Sequence, residues 1–152
     1  MLRNRSVPTD VLLPHITYQD VAAALAWLSS TFGFVEHYRY GEPSAPDGAQ
    51  MHLGDAWIML SSPRPVGTTP ARQLGQHTQS LTVIVEDVDA QYERVKSAGA
   101  TITEELNETA YGERQFGVSD LDGHPWLFST HVRDVSPDEW GATIASEDRP
   151  GE

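Results

Sequence analysis

One short pattern occurs twice in the chain, and this repeat constrains the fold more than any other feature. Ile16-Thr17-Tyr18-Gln19-Asp20-Val21 and Val83-Ile84-Val85-Glu86-Asp87-Val88 each run from β-favouring residues through a polar position into Asp-Val, sixty-seven residues apart. A repeat dictates architecture because each copy forms the same supersecondary unit. Asp is a good helix N-cap, since its carboxylate accepts from backbone N–H groups that the first turn leaves unpaired. The spacing therefore predicts a helix over Val21–Phe32, with Leu25, Leu28 and Phe32 on one face and Gly33 as its stop. A second helix is predicted over Val88–Ala98, with Tyr92 and Val95 buried and Gly99 as its stop.

Three strand-like runs follow each helix. In the first copy they are Phe34–Tyr40, Ala49–Leu53 and Ala56–Ser61, with Gly54-Asp55 as a two-residue turn. In the second they are Thr101–Leu106, Arg114–Ser119 and Pro125–His131, turning at Asp122-Gly123. The expected fold class is α+β: two β-α-β-β-β modules at 11–61 and 80–131, joined by a Pro/Gly/Thr/Gln-rich linker at 62–79 and followed by a tail at 132–152. In that tail Asp134–Ala142 is expected to dock through Val135 and Trp140, with Thr143 onward frayed. A sheet with one helix leaves its second face bare, and two such modules side by side form a curved mixed sheet around a concave cavity.

Charge and cysteine content narrow the function classes. A formal charge of −12 argues against nucleic-acid or anionic-membrane partners, which bind through clustered Lys and Arg. The absence of cysteine removes disulfides, thiolate nucleophiles and sulfur metal sites, so a reducing cytoplasm is expected. Met1–Asp10 carries Arg3 and Arg5 without a following apolar run, and no stretch approaches a membrane span, so a soluble, unprocessed chain is expected. Neither a Gly-x-Ser-x-Gly elbow nor a phosphate-cradling Gly-rich loop occurs.

The ordered motifs resemble the glyoxalase/bleomycin-resistance, or vicinal oxygen chelate, superfamily over roughly residues 11 to 140. They are strand-Asp-Val-helix-Gly-Phe at Ile16–Phe34 and its second copy, Gly54-Asp55-x-x-Ile58-Met59-Leu60, Tyr111-Gly112-Glu113-Arg114, and Asp120-Leu121-Asp122-Gly123-His124-x-Trp126. The stretch His131-Val132-x-Asp134-Val135-Ser136-Pro137 is similar to the PhnB-like branch. In metal-dependent members each module supplies one ligand from its first strand and one from its last, usually His, Gln or Glu. By resemblance those positions are Leu13, Met59, Ser80 and Leu127 here. Two cannot ligate, and the other two suit a hard or borderline divalent ion poorly, so no metal and no cofactor is expected. Strand alternation supports this register, because the neighbours Ile58, Leu60, Leu81, Val83, Trp126 and Phe128 are apolar and suit the helix side.

The same alternation assigns His15, Thr17, Gln50, His52, Trp57, Ser61, Thr82 and Ser129 to the concave face. With Met59, Ser80 and Leu127 they form a mixed surface suited to a small organic ligand. Trp57 offers a π face to a flat or cationic group or serves packing, and His15 with His52 forms a displaced metal pair only if their strands adjoin. Arg114 is a candidate at the cavity mouth for a ligand acid, with Glu113 for an amine, against the alternative of a surface salt bridge. His124 is expected to bond its own turn, and His37, His77 and His131 to lie peripherally.

The resemblance implies a metal-independent binder of an aromatic or cationic natural product, acting as a homodimer, with no catalytic residue assigned. Two alternatives stay open. One is an enzyme, either a metal-dependent lyase, isomerase or dioxygenase using displaced ligands such as His15 and His52 or a metal-free acid/base catalyst, and the other a module that chiefly binds protein partners.

Overall fold

The computed structural model describes residues 11–65 and 67–145. The element order is β1 (His15–Thr17), α1 (Val21–Trp27), a π-helical turn (Leu28–Phe32), β2 (Val35–Glu42), β3 (Ala45–Leu53) and β4 (Ala56–Ser61). There follow α2 (Ala71–Leu74), β5 (Leu81–Ile84), α3 (Val88–Ser97), β6 (Thr101–Glu108), β7 (Glu113–Ser119), β8 (Pro125–His131) and a 3-10 turn (Pro137–Trp140). They build two curved, unclosed four-stranded mixed sheets, ordered β1-β4-β3-β2 and β5-β8-β7-β6. β1 pairs parallel with β4 and β5 parallel with β8, while the remaining pairs are antiparallel.

The repeat is visible at atomic detail. Asp20 Oδ1 accepts from Ala23 N at 3.0 Å and Asp87 Oδ1 from Ala90 N at 2.9 Å, one first-turn donor satisfied in each copy. The first helix differs from its expected form only at the end, where it widens into the π turn and closes with Gly33 at φ 88°. That turn seats Phe32 against Trp27, Trp126 and Phe128, with ring centroids 4.9, 5.4 and 5.0 Å apart. Aromatic contacts of this edge-to-face kind add to the burial they accompany.

β3 begins at Ala45, four residues before the expected Ala49. Pro and Gly at 43–48 suggest a loop, yet β4 reaches only to Gly48, so Pro46, which has no N–H to donate, extends the β2–β3 hairpin where no further strand requires one. The linker is likewise not wholly irregular. It contains α2, and Arg72 N donates to Asp122 O at 2.8 Å, tying the linker to the β7–β8 turn. The expected docking of the tail involves Tyr111, whose ring meets Trp140 at 5.5 Å. Residues 146–152 of the expected frayed end lie outside the described residues.

The two modules share one core. Ile16, Met51, Ile58 and Leu60 from the first sheet, Val83, Phe116, Val118, Trp126 and Phe128 from the second, and Leu25, Leu28, Phe32, Tyr92 and Val95 from the helices form a single buried cluster. Gln91 Nε2 donates to Phe32 O at 2.9 Å, joining α3 to the first module's π turn. The helix-covered sides of both sheets thus meet, and alternate residues on each strand point out of this core. Among the described residues no helix is long and apolar enough to cross a membrane.

Candidate functional site

The residues expected around one cavity fall into two groups, one on the open face of each sheet. On the first face, register places Met59 opposite His15 and Gln50, and Trp57 opposite His52. His37 Nδ1 donates to Gln50 Oε1 at 2.7 Å, and Gln50 Nε2 donates to Met59 Sδ at 3.5 Å. Tyr38 Oη donates to the same sulfur at 3.7 Å. His52 lies stacked on Trp57 at 4.6 Å, and His37 meets the indole edge at 5.4 Å. Gln50 is 1% exposed, so the centre of this chain of contacts is buried while His37 at its edge is exposed.

His37 and Tyr38 belong to this face, which corrects the expectation that His37 is peripheral. The cause is a bulge between Glu36 and Tyr38 in β2, which brings two consecutive side chains to one face. No strand-period reading places a bulge. Thr17 is buried and His15 exposed; they border a cleft of about 370 Å³ between β1 and the linker, with His77 and His124 on its wall. His124 bonds its own turn through its backbone, with its N donating to Asp120 Oδ1 at 3.0 Å, while its side chain reaches further than expected: Nε2 donates to Thr17 O at 2.7 Å, across to the first module.

On the second face lie Thr82, Leu127 and Ser129, with Ser80 exposed just before β5. Around them gather polar residues of β6 and β7. Ser129 Oγ donates to Glu113 Oε2 at 2.6 Å and His131 Nδ1 donates to Glu113 Oε1 at 2.8 Å. The serine hydrogen bond above all, and then the imidazole, hold the Glu113 carboxyl below its ordinary range. Tyr111 Oη donates to Gln115 Oε1 at 3.3 Å, and Asn107 Nδ2 to Glu104 Oε1 at 3.1 Å. His131 therefore joins this face, against expectation, and Gln115 was legible only as the polar partner of Glu113 two residues along the strand.

Arg114 does not belong with these groups, which corrects its assignment to the ligand site. It alternates with Glu113 and shares the helix side with Phe116, where Nη2 donates to Asp89 Oδ1 of α3 at 2.8 Å. The adjacent Glu and Arg are split between two faces because a strand's side chains alternate.

The four family ligand positions do not fit a metal. Leu13 and Leu127 have no donor atom, Ser80 offers a neutral hydroxyl, and the Met59 sulfur already accepts from Gln50 and Tyr38. The displaced pair fails its own condition, because β4 lies between the strands of His15 and His52. Among the described residues no group of three or more His, Cys, Asp or Glu side chains is arranged to hold an ion.

Comparison with known proteins places this geometry in context. The family model of the Glyoxalase/Bleomycin resistance protein/Dioxygenase superfamily matches residues 11–128. The Mb0911c protein of Mycobacterium bovis is 32% identical over 145 residues, covering 90% of this chain and 93% of that one. The crystal structure of TioX from Micromonospora sp. ML1 aligns with a TM-score of 0.68 at 32% identity, over 80% of this chain and 98% of that chain. FosX of Listeria monocytogenes, a genomically encoded fosfomycin resistance protein, aligns with a TM-score of 0.60 over 88% of this chain and 98% of its own. At 15% identity that likeness concerns the fold alone.

Proposed function

Because the chain belongs to the glyoxalase/bleomycin resistance protein/dioxygenase superfamily, we propose that it binds a small organic molecule without a metal, sequestering an aromatic or cationic compound. The observation that carries this reading is the composition of the open faces. At the family's ligand positions they hold aliphatic, thioether and hydroxyl groups, and around them Trp57, His52, Gln50 and Ser129 supply a stacking surface and fixed hydrogen-bonding groups. Such a mixture of apolar wall and few convergent polar groups suits organic ligands. Within the superfamily the stretch from His131 to Pro137 supports placement in the PhnB-like branch.

The working unit in this proposal is a homodimer in the cytoplasm. Both open faces point out of the shared core, so one ligand held between two faces needs a second copy. Half-exposed apolar residues support such a contact, with Val35 at 53% and Tyr40 at 44% on the first face and Ile84 at 67% on the second. The first face carries the imidazoles of His15, His37 and His52, which offer hydrogen-bond donors, while the second carries the Glu104 and Glu113 carboxylates, which accept, so a two-fold pair brings matching groups together.

A fluorescence titration of the full chain with a panel of aromatic and cationic compounds tests the reading, together with elemental analysis of protein purified without chelator. At least one compound is expected to quench tryptophan emission in the parent and not in Trp57→Ala, with metal far below one equivalent. One equivalent of tightly held metal, lost in the His15→Ala/His52→Ala variant, establishes instead the metal-dependent lyase, isomerase or dioxygenase alternative.

A further inference from the structure

We propose that Glu113 is the receptor for a cationic group on the bound molecule, an ammonium or amidinium, and that it makes this protein prefer cationic aromatics over neutral ones of the same outline. The inference rests on the small-molecule reading above and adds the group that selects among ligands.

Arg114, adjacent to Glu113 in sequence, faces the helices and is held by Asp89 at 2.8 Å, with Glu108 at 3.9 Å. Arg133, in the tail that crosses Gly112, donates to Thr109 O at 3.2 Å. Among the described residues the ion-pair partner of Glu113 is His131 alone, an imidazole 54% exposed at its side chain. Glu113 therefore has no guanidinium or ammonium partner among the described residues, and it lies on a face whose other carboxylate, Glu104, already accepts from Asn107 at 3.1 Å and Gln115 at 3.5 Å.

Its geometry is that of a receptor. A carboxylate offers about four lone-pair sites, and Ser129 and His131 occupy one on each oxygen. Ser129 is 1% exposed, so the oxygen it bonds is fixed in direction while the side chain of Glu113 keeps 22% exposure. The hydrogen bond from Ser129 also favours the ionised form, so the charge is present at neutral pH. A second feature points to the same ligand chemistry. Tyr111 bonds Gln115, the next residue on this face, and its ring pairs with that of Trp140 at 5.5 Å, and both residues are at least 40% exposed. An ionised carboxylate beside open aromatic faces attracts an organic cation through charge-assisted hydrogen bonds and the ring quadrupole together.

The test uses matched flat aromatics, acridine against 9-aminoacridine and quinoline against N-methylquinolinium, titrated into the full chain at pH 8, where the first member of each pair is neutral and the second charged. The cation is expected to bind about tenfold or more tighter. In Glu113→Gln, which keeps shape and removes charge, the two members should bind alike. Glu113→Asp should retain a reduced preference, and Arg114→Ala the full one, so loss of preference in all three variants marks a folding defect and overturns the assignment. A preference that persists in Glu113→Gln, or equal binding in the parent, overturns the inference while leaving the small-molecule reading standing. Failure of every probe to bind the parent overturns both.

Discussion

Tyr18 donates its phenolic hydrogen to Asp120 Oδ2 at 2.7 Å, a buried bond between residues 102 positions apart that joins one repeat to the other. Asp120 is 3% exposed and also accepts from Trp126 Nε1, Asp122 N and His124 N, each at 3.0 Å. Four donors converge on one carboxylate, so removing the acceptor costs more than removing one donor. Asp120→Ala is expected to lose about 3–5 kcal/mol, because it leaves buried donors unpaired, and Tyr18→Phe about 1–2 kcal/mol. Urea unfolding measures both, and a larger loss in Tyr18→Phe would contradict this account of the joint.

The same pair gives a pH dependence. Burial first, and then the Asp120 charge, raises the Tyr18 hydroxyl well above its ordinary value. The folded chain therefore holds this proton more tightly than the unfolded one. Its contribution is complete below the unfolded tyrosine value of about 10 and is lost progressively as pH rises beyond it. Stability of the parent should fall more steeply above about pH 10 than that of Tyr18→Phe, as read from urea midpoints across that range.

How far such features were legible differs between the repeat and the site. Asp20, Asp87, Gly33 and Gly99 mark both helices because capping and left-handed closure are local requirements that only a few residue types meet. The alternation Trp57-Ile58-Met59-Leu60 likewise separates open face from core, since the period of a strand is two. His37 was hidden because a bulge breaks that period, and Arg114 makes the surface salt bridge that stood as the alternative because Glu113 and Arg114 open β7 and alternate between faces instead of sharing a loop at the cavity mouth. Most difficult was Asp120, which looks like any Asp of an Asp-x-Asp-Gly turn. Its role depends on Tyr18 and Trp126 arriving from elsewhere, which no local pattern carries.

Gly112 offers a test of the tail. Its φ is 89°, and a Cβ there would stand 1.9 Å from Arg133 O, while Val132 N and Arg133 N both donate to Gly112 O at 2.9 and 3.1 Å. Any side chain must push the tail away and adopt a left-handed backbone at a cost of about 1–2 kcal/mol. Gly112→Ala should therefore free the segment beyond His131, separating Trp140 from Tyr111. Faster proteolysis after residue 131, with the two sheets still protected, is the expected result. Unchanged cleavage would mean that Gly112 does not govern tail docking.

Phe32 tests whether the two repeats fold as one unit. It belongs to the first module, yet its ring packs on Trp126 and Phe128 of the second as well as on Trp27, and it is fully buried. Phe32→Ala leaves a cavity where both sheets' helix sides meet, at a cost of about 3–5 kcal/mol, and the larger aliphatic Phe32→Leu should cost less. Because that cavity borders both halves, unfolding followed by far-UV circular dichroism and by tryptophan fluorescence should shift to lower urea together, in one transition. Two separated transitions, with only the first module weakened, would show that the modules have cores of their own and that the aromatic contact between them contributes little.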